Sequence, residues 1–280
     1  MSAANPNDRF HIHVEPVRGF ALLDLAEIWQ YRELLFFLVW RDIKVRYKQT
    51  LLGAAWAVLQ PVATMVVFSV IFGRLAGMPS DGLPYPLFSF GALLPWQLFS
   101  YALNESSNSI VNNQRLVTKI YFPRLVVPAA AVTAGLVDFA IALLVLFGLM
   151  LYYGVPLTAR LLALPGLVLL ALASALAVGL WLSTLNVRYR DVRHFTPFIT
   201  QLWFYLTPIA YPTSLVPEAL RPLYALNPMV GVVEGFRWAL LGAQAVDGGV
   251  IAVSSAMVLL LLIGGLFYFR SMETVFADLL

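Results

Sequence analysis

Long apolar stretches separated by short polar connections dominate this sequence. A helix needs about 20 apolar residues to cross the hydrocarbon core of a bilayer. By that measure the pattern predicts six membrane-spanning helices, at about residues 51–72, 87–111, 125–153, 161–185, 195–211 and 250–269. Polar residues and prolines dilute the second and fifth stretches, whereas the last is almost purely aliphatic. The pattern therefore predicts an all-α integral membrane protein.

A shorter helical pattern precedes the first span. Residues 24–48 begin with a capping-box-like pair, Asp24 and Glu27, and continue with apolar residues at helical spacing. Basic residues gather at the end of this segment, so we expect an amphipathic helix that lies on the cytoplasmic interface. In this interpretation residues 1–23 are a flexible cytoplasmic arm, and residues 49–280 form one transmembrane domain.

Two connections between spans carry helical signals of their own. Residues 112–122 predict a short helix that Pro123 stops. The external stretch 212–249 is long for a turn, and Asn227 followed by Pro228 is typical of a helix start. We therefore expect short re-entrant or interfacial helices at the outer surface.

The distribution of positive charge predicts the orientation of the chain. Fourteen of the 18 Lys and Arg residues lie before the first span, in the loops after the second and fourth spans, or after the last span. The other three connections hold only Arg74, Arg160, Arg221 and Arg237. Because positively charged connections stay on the cytoplasmic side, both termini are predicted to be cytoplasmic.

The composition agrees with a membrane location. Hydrophobic residues make up 60% of the 280 residues and charged residues 12%, whereas soluble domains are nearer half apolar and a quarter charged. The mean hydropathy is +0.80. The net charge of +3 comes without a dense basic cluster, which argues against nucleic-acid binding. The lack of cysteine excludes disulfides, thiolate nucleophiles and cysteine-based metal sites.

Motifs for catalysis are missing from the sequence. It contains no P-loop, no Gly-x-Ser-x-Gly elbow and no metalloprotease helix. His11 and His13 lie in the N-terminal arm, His194 adjoins a basic loop, and the acidic residues are scattered singly, so no metal site is expected. We therefore predict a transport subunit rather than an enzyme, and no cofactor bound by this chain.

Two carboxylates, those of Glu105 and Asp138, fall within predicted spans, where a charge is costly. Glu105 lies near the cytoplasmic end of its span among Asn and Ser residues, which suits a hydrated helix end. Asp138 lies deeper, and two roles stay open for it: a buried hydrogen bond to a neighbouring span, or proton transport. The second role would make the chain a proton-coupled secondary transporter, or a flippase of lipid-linked sugars.

Five groups of short motifs follow one another along this pattern. They are RYKQTLLGAAW (46–56) with LQP (59–61), NQRLVTKIYFPR (113–124) with VP (127–128), LNVRYRD (185–191), YALNPM (224–229) and EGFRW (234–238). In this order they resemble the ABC-2 type permeases that export polysaccharide, the Wzm-like subunits of O-antigen ABC transporters. Capsule and teichoic-acid exporters are near relatives of that family, and the resemblance runs from about residue 30 to the C-terminus.

The resemblance implies a function and partners. Two permease chains would form a channel as a homodimer in the bacterial inner membrane, among membrane lipid. Two cytoplasmic, Wzt-like ATPase subunits would bind ATP and Mg²⁺. The substrate would be a polysaccharide linked to undecaprenyl diphosphate, moved from the cytoplasm to the periplasm.

Three groups of site residues follow from this interpretation. Coupling to the ATPase is predicted for the short helix and the loop after span four, at Asn113, Arg115, Leu116, Lys119, Tyr121, Pro123, Arg190 and Asp191. Sugars stack on aromatic rings, so a channel lining is predicted at Trp56, Phe68, Phe72, Trp203, Phe204 and Tyr205. Anchoring at the bilayer interface or core packing are the alternatives for these rings. An outer gate is predicted at Tyr224, Glu234 and Arg237.

Overall fold

The computed structural model describes residues 25–48, 55–242 and 247–279. Every regular element in those ranges is a helix, which confirms the all-α prediction for the described part of the chain. The N-terminal arm, the predicted cap at Asp24 and the start of the first span lie outside the described residues.

Thirteen α-helices follow one another in the described residues. They are α1 (Leu25–Gln30), α2 (Arg32–Lys48), α3 (Ala55–Phe68), α4 (Tyr85–Asn112), α5 (Gln114–Lys119), α6 (Val126–Ala134), α7 (Leu136–Tyr152), α8 (Leu164–Arg188), α9 (Val192–Tyr205), α10 (Arg221–Ala225), α11 (Pro228–Leu241), α12 (Gly248–Glu273) and α13 (Phe276–Leu279). A π-helical turn, Ser69–Leu75, extends α3, and short 3₁₀ turns precede α8 and α10.

Four helical runs of the described chain are long and apolar enough to cross a membrane: Ala55–Leu75, Val126–Tyr152, Ala159–Arg188 and Gly248–Glu273. The chain is therefore membrane-embedded. The predicted second span corresponds to α4, whose 28 residues extend for about 42 Å but include a polar second half. The predicted fifth span corresponds to α9, whose 14 residues reach only about 21 Å, less than the bilayer core of about 30 Å.

The helix of the predicted fifth span is shorter than the span, whose end was predicted at residue 211. Helix α9 ends at Tyr205, and the amides of Leu206 and Thr207 turn back to bond the carbonyls of Trp203 and Phe204. Pro208 follows directly and has no amide hydrogen with which to continue the helix. The chain therefore leaves the helix axis at this point.

The segment predicted as one amphipathic helix, 24–48, also differs from expectation. The helix is interrupted at Tyr31, and α2 carries apolar residues on more than one face beside its charged ones. Leu38 is buried where α2 packs on α6, whereas Phe36 and Trp40 on other faces are exposed. One face of α2 thus contacts the protein, and the other offers aromatic rings to the surroundings.

Helices α4 and α8 pack together more extensively than any other pair of elements in the described chain. Gly179 of α8 lies directly against the side chain of Ser106 on α4. Further along, the Asn186 side-chain amide donates hydrogen bonds to the Ser107 carbonyl at 2.9 Å and to Asn108 Oδ1 at 3.1 Å. Small residues and amide hydrogen bonds are the usual means of holding helices together in lipid.

Two apolar clusters lie on either side of these polar contacts between α4 and α8. The larger cluster fills the space among α4, α7, α8 and α11. The smaller cluster gathers the ends of α4, α8 and α12 with α2, α5, α6 and α13; its largest fully buried rings are Phe269 and Phe276. The short helix α5 is thus anchored by the side chain of Val117, which is buried in the smaller cluster.

We predict that Gly179→Ala destabilises the protein. A Cβ atom at this position would lie 2.7 Å from Ser106 Cβ, and because both atoms are fixed to helix backbones, α4 and α8 would have to separate. Overpacking of this kind costs about 1–3 kcal/mol. Thermal unfolding in detergent measures the effect. Gly148→Ala is the matched control, since a Cβ there meets nothing within 4 Å. Equal melting temperatures for the two variants would contradict the prediction.

Candidate functional site

Rings from three helices form one continuous aromatic cluster. The rings in order of contact are Phe72, Phe68, Phe204, Trp96, Phe99 and Trp203, with neighbouring centroids 5.1–5.8 Å apart. Tyr205 also joins the cluster, with 5.5 Å between its ring centroid and that of Phe204, so five of the six predicted channel residues are brought together. The two rings of α4, Trp96 and Phe99, join them and were missing from the predicted set.

The predicted channel residues differ in their exposure. Tyr205 is 64% exposed and Trp56 is 55% exposed, so their rings are free to meet a substrate or lipid. Trp203 and Phe204 are half-buried and pack against α4. Packing therefore accounts for these two rings as well as a channel role does.

Asn227 connects the end of α9 to the start of α11. Its Oδ1 accepts hydrogen bonds from Trp203 Nε1 at 2.8 Å and from the Met229 amide at 3.0 Å. Its Nδ2 donates to the Leu206 carbonyl and to Thr207 Oγ1, both at 3.2 Å. The predicted N-cap of α11 is confirmed, and the same side chain holds the turn that ends α9.

A cavity of about 590 Å³ opens among α3, α4, α7 and the end of α2. Its lining combines aromatic rings, side-chain amides and one ion pair; among these residues are Arg46, Trp56, Gln60, Trp96, Gln97, Tyr101, Asn104, Asp138 and Phe204. The sequence-based site residues included two of the rings and Asp138, but neither glutamine. A side-chain amide near the middle of an apolar span, such as that of Gln97, is the signal that could have located this cavity.

Asp138 forms an ion pair with Arg46, with 2.6 Å between Oδ2 and Nη2. Its other oxygen accepts a hydrogen bond from the Tyr47 hydroxyl. Burial and this hydrogen bond raise the pKa of Tyr47 to about 12, which keeps the hydroxyl a donor. Both partners come from α2, whereas the sequence suggested a partner on a neighbouring span. The negative charge of Asp138 is thus paired with the positive charge of Arg46.

Glu105 lies on an exposed part of α4, as expected for a hydrated helix end. Its carboxylate interacts electrostatically with the charges of Arg46 and Asp42 on α2. No group of three or more acidic or histidine side chains with metal-binding geometry occurs among the described residues.

The predicted coupling segment forms a helix shorter than expected, Gln114–Lys119 instead of 112–122. The reason is local: Ile120 adopts an extended conformation. The side chains of Val117 and Phe122 are buried in the smaller apolar cluster, whereas Tyr121 remains exposed.

The predicted coupling residues divide into an anchored group and an exposed group. Leu116 is half-buried, Pro123 is buried, and the side-chain amide of Asn113 donates to the Ser109 carbonyl at 2.8 Å. The exposed residues are Arg115, Lys119, Tyr121, Arg190 and Asp191. Val187, at the end of α8, belongs to the same apolar cluster as Val117.

The predicted outer-gate residues Tyr224, Glu234 and Arg237 all line a second cavity, of about 240 Å³. Arg237 is buried, and its guanidinium lies 3.6 Å from the centre of the Phe88 ring. It donates to the Phe88 and Ile209 carbonyls at 3.3 and 2.9 Å and approaches Glu234 at 3.4 Å.

Tyr224 lies on the rim of the same cavity. Its hydroxyl lies 2.8 Å from that of Tyr211, and burial raises its pKa above the ordinary tyrosine value. Arg237 and Tyr224 therefore tie α10 and α11 to the start of α4 and to the turn after α9.

The apolar helices and the basic connections between them are those of a membrane-embedded helical protein. The chain belongs to the ABC-2 type transporter family, whose family model matches residues 33–241. Permeases of this family work with ATPase subunits in ABC transporters. The family prediction is therefore confirmed.

Individual relatives match nearly the whole chain. The chain is 32% identical to the O-antigen export system permease protein RfbA of Myxococcus xanthus, over 91% of this chain and 98% of the relative. It is 26% identical to a protein of the same name from Klebsiella pneumoniae, over 89% and 95%. It is 23% identical to the polysialic acid transport protein KpsM of Escherichia coli, over 83% and 91%.

We predict that Arg237→Ala destabilises the outer region of the protein. The change would leave Glu234 and two carbonyls without their buried partner, and such losses cost about 3–5 kcal/mol. Arg221→Ala, in the exposed pair with Glu218 on the same cavity, should change stability by less than about 1 kcal/mol. Thermal unfolding and limited proteolysis of the two variants compare these effects. A melting temperature of Arg237→Ala equal to that of Arg221→Ala would show that the buried contacts do not stabilise this region.

Proposed function

We propose that this chain is the transmembrane permease of an ATP-driven exporter of lipid-linked polysaccharide. The substrate would carry undecaprenyl diphosphate and move from the cytoplasm to the periplasm. The observation that carries this proposal is the near full-length match to relatives named for O-antigen export and polysialic acid transport.

The proposed topology has six spans in the inner membrane, with both termini in the cytoplasm. Four spans have the length and hydropathy expected, and α4 adds a fifth crossing of sufficient length. The sixth proposed crossing consists of α9 together with the turn that follows it. The excess of Lys and Arg in the alternate connections supports this orientation.

The proposed functional unit contains two copies of this chain. Helices α3 and α9 support this part of the proposal, because both leave wide apolar faces uncovered by the rest of the chain. The exposed residues are Val66 and Val67 on α3, Val70 and Ile71 in the π-helical turn that extends it, Phe195, Phe198 and Leu202 on α9, and Leu206 directly after it. A two-fold pair would place equivalent faces around one shared path.

The ATPase subunits would bind the cytoplasmic surface formed by α5 and the loop after α8. Arg115, Lys119 and Tyr121 offer exposed charge and an aromatic ring there. Val117 and Phe122 hold this surface firmly to the helix ends. A displacement of α5 by the ATPase would therefore be transmitted to α6 and the third span.

The rival function, proton-coupled transport by Asp138, receives less support. Asp138 forms an ion pair with Arg46 and accepts a hydrogen bond from Tyr47, both on α2, and these contacts support a structural role for its carboxylate.

We predict that purified chain with its ATPase partner exports polysaccharide in proteoliposomes only when ATP is supplied on the ATPase side. Because the energy would come from hydrolysis, collapse of the proton gradient with an ionophore should leave the rate unchanged. Radiolabelled polymer protected inside the vesicles is the measured quantity. Vesicles with the permease alone are the control. Transport that follows the proton gradient without ATP would refute the proposal and support the rival.

We predict different outcomes for two neighbouring aromatic residues of α9. Tyr205→Ala should lower surface polymer and leave the melting temperature and basal ATP hydrolysis unchanged, because its ring is exposed. Trp203→Phe should lower the melting temperature, because it removes the hydrogen bond to Asn227, worth about 0.5–1.5 kcal/mol. Normal export by Tyr205→Ala would exclude its ring from the substrate path.

A further inference from the structure

A hydrogen bond joins the connection between α5 and α6 to a residue 149 positions further along the chain. Arg124, in the turn before α6, donates its backbone amide hydrogen to Glu273 Oε1 at 3.0 Å. The Arg124 guanidinium lies 5.9 Å from the centre of the Phe276 ring. The backbone and the side chain of this residue thus contact the end of α12 and the start of α13.

The carboxylate of Glu273 is itself held in place. Its Oε2 lies 3.5 Å from Nη1 of Arg270, about one helical turn earlier, and both side chains are partly buried. A hydrogen bond to an ionised acceptor is roughly twice as strong as one between neutral groups. Such a bond also requires its donor at a fixed distance and angle. Glu273 therefore fixes the position of the Arg124 backbone relative to α12.

Apolar contacts hold the same segments together. Phe276 is fully buried, its ring centre lies 5.2 Å from that of Phe269, and α13 packs on α5 and on α8. Val117 of α5 is buried in the same apolar cluster as these two rings. Because apolar attraction has no preferred direction, these side chains keep α5 close to α13 without setting its register. Glu273 adds the directional contact that they lack.

The last span is in turn attached to α8. Trp181 of α8 donates its Nε1 hydrogen to the Leu261 carbonyl at 3.0 Å, and its ring stacks on Tyr268 with 5.1 Å between centroids. A Cβ at Gly265 would lie 2.9 Å from the Ala177 carbonyl oxygen, so the two helices approach backbone to backbone. A segment that is fixed to α12 is therefore fixed to α8 as well.

We propose that Glu273 is a positioning residue for export, which makes α12 follow α5 when an ATPase displaces α5. This inference rests on the proposed function, which places the ATPase on α5. The chain itself joins α5 to α6, and the bond from Arg124 to Glu273 adds α12 and, through Trp181, α8. One displacement at the cytoplasmic surface would then move these helices together, rather than bend the short connection between α5 and α6.

Three changes at position 273 separate the hydrogen bond from the charge. Glu273→Asp keeps the charge on a side chain one methylene shorter, which leaves its oxygens short of Arg124, and Glu273→Ala removes both the bond and the charge. Glu273→Gln loses the charge but keeps an oxygen that accepts the amide hydrogen. Glu218→Ala, in the exposed pair with Arg221, is the matched control.

The measured quantity is the amount of polymer exported per ATP hydrolysed, in proteoliposomes that contain the chain and its ATPase partner. We expect Glu273→Asp and Glu273→Ala to lower this ratio about two- to tenfold, as for residues that couple distant sites. Glu273→Gln and Glu218→Ala should keep the native ratio. A role in folding alone would lower export and hydrolysis together and leave the ratio unchanged. A role of the charge would make Glu273→Gln the uncoupled variant and Glu273→Asp the coupled one.

Spin labels report the motion of the two helices separately. The chain has no cysteine, so Gln114→Cys on α5 and Ser271→Cys near the end of α12 each provide one exposed labelling site. The mobility of each label is compared in nanodiscs between the nucleotide-free complex and the complex trapped with ADP and vanadate. We expect both labels to respond when Glu273 is present. With Glu273→Asp, only the label at Gln114→Cys should respond.

The failure of this inference is distinguishable from that of the proposed function. A full response at Ser271→Cys in the presence of Glu273→Asp, or a native export ratio for Glu273→Asp, overturns the role of Glu273 and leaves the proposed function standing. No response at Gln114→Cys during ATP-driven export refutes the binding of the ATPase at α5, and the inference with it. Export that requires no ATP refutes the proposed function itself.

Discussion

The close contact of α4 with α8 is the interaction on which the other features of this protein depend. Apolar side chains gain little by leaving lipid for one another, so helices in a membrane are held by close approach and polar contacts. Gly179 against Ser106, and Asn186 bonded to α4, supply both. Helix α4 also contributes Gln97 to the cavity among α3, α4 and α7 and Phe88 to the cavity that Arg237 lines, and its last turn leads into α5.

Patterns of local origin could be read from the sequence, and contacts between distant segments could not. The apolar runs, the start of α11 at Asn227 and the short helix before Pro123 depend on neighbouring residues and were predicted. The early end of α9 depends on a turn that Asn227 holds from another helix. The partners of Asp138 lie on α2, and only the folded chain shows that the two segments meet.

The helices are held by the rest of the chain to very different degrees. In the most apolar window of Ala55–Leu75 only 11% of residues are buried, against 33% for Val126–Tyr152 and for Ala159–Arg188. Helix α9 also exposes an apolar stripe along most of its length. The central helices thus form a fixed body, and α3 and α9 lie at its edge, where few contacts of the same chain oppose a change in their position.

The π-helical turn Ser69–Leu75 has a consequence for the C-terminal end of α3. A π-turn contains more residues than an α-turn of the same hydrogen-bonded ladder, so it stores spare chain length within a continuous helix. Its conversion to α-helix would advance the residues beyond it by about 1.5 Å and rotate them by about 100°. Phe72 and Arg74, within the turn, would also face new directions while the helix stayed unbroken, because one set of backbone hydrogen bonds would replace another.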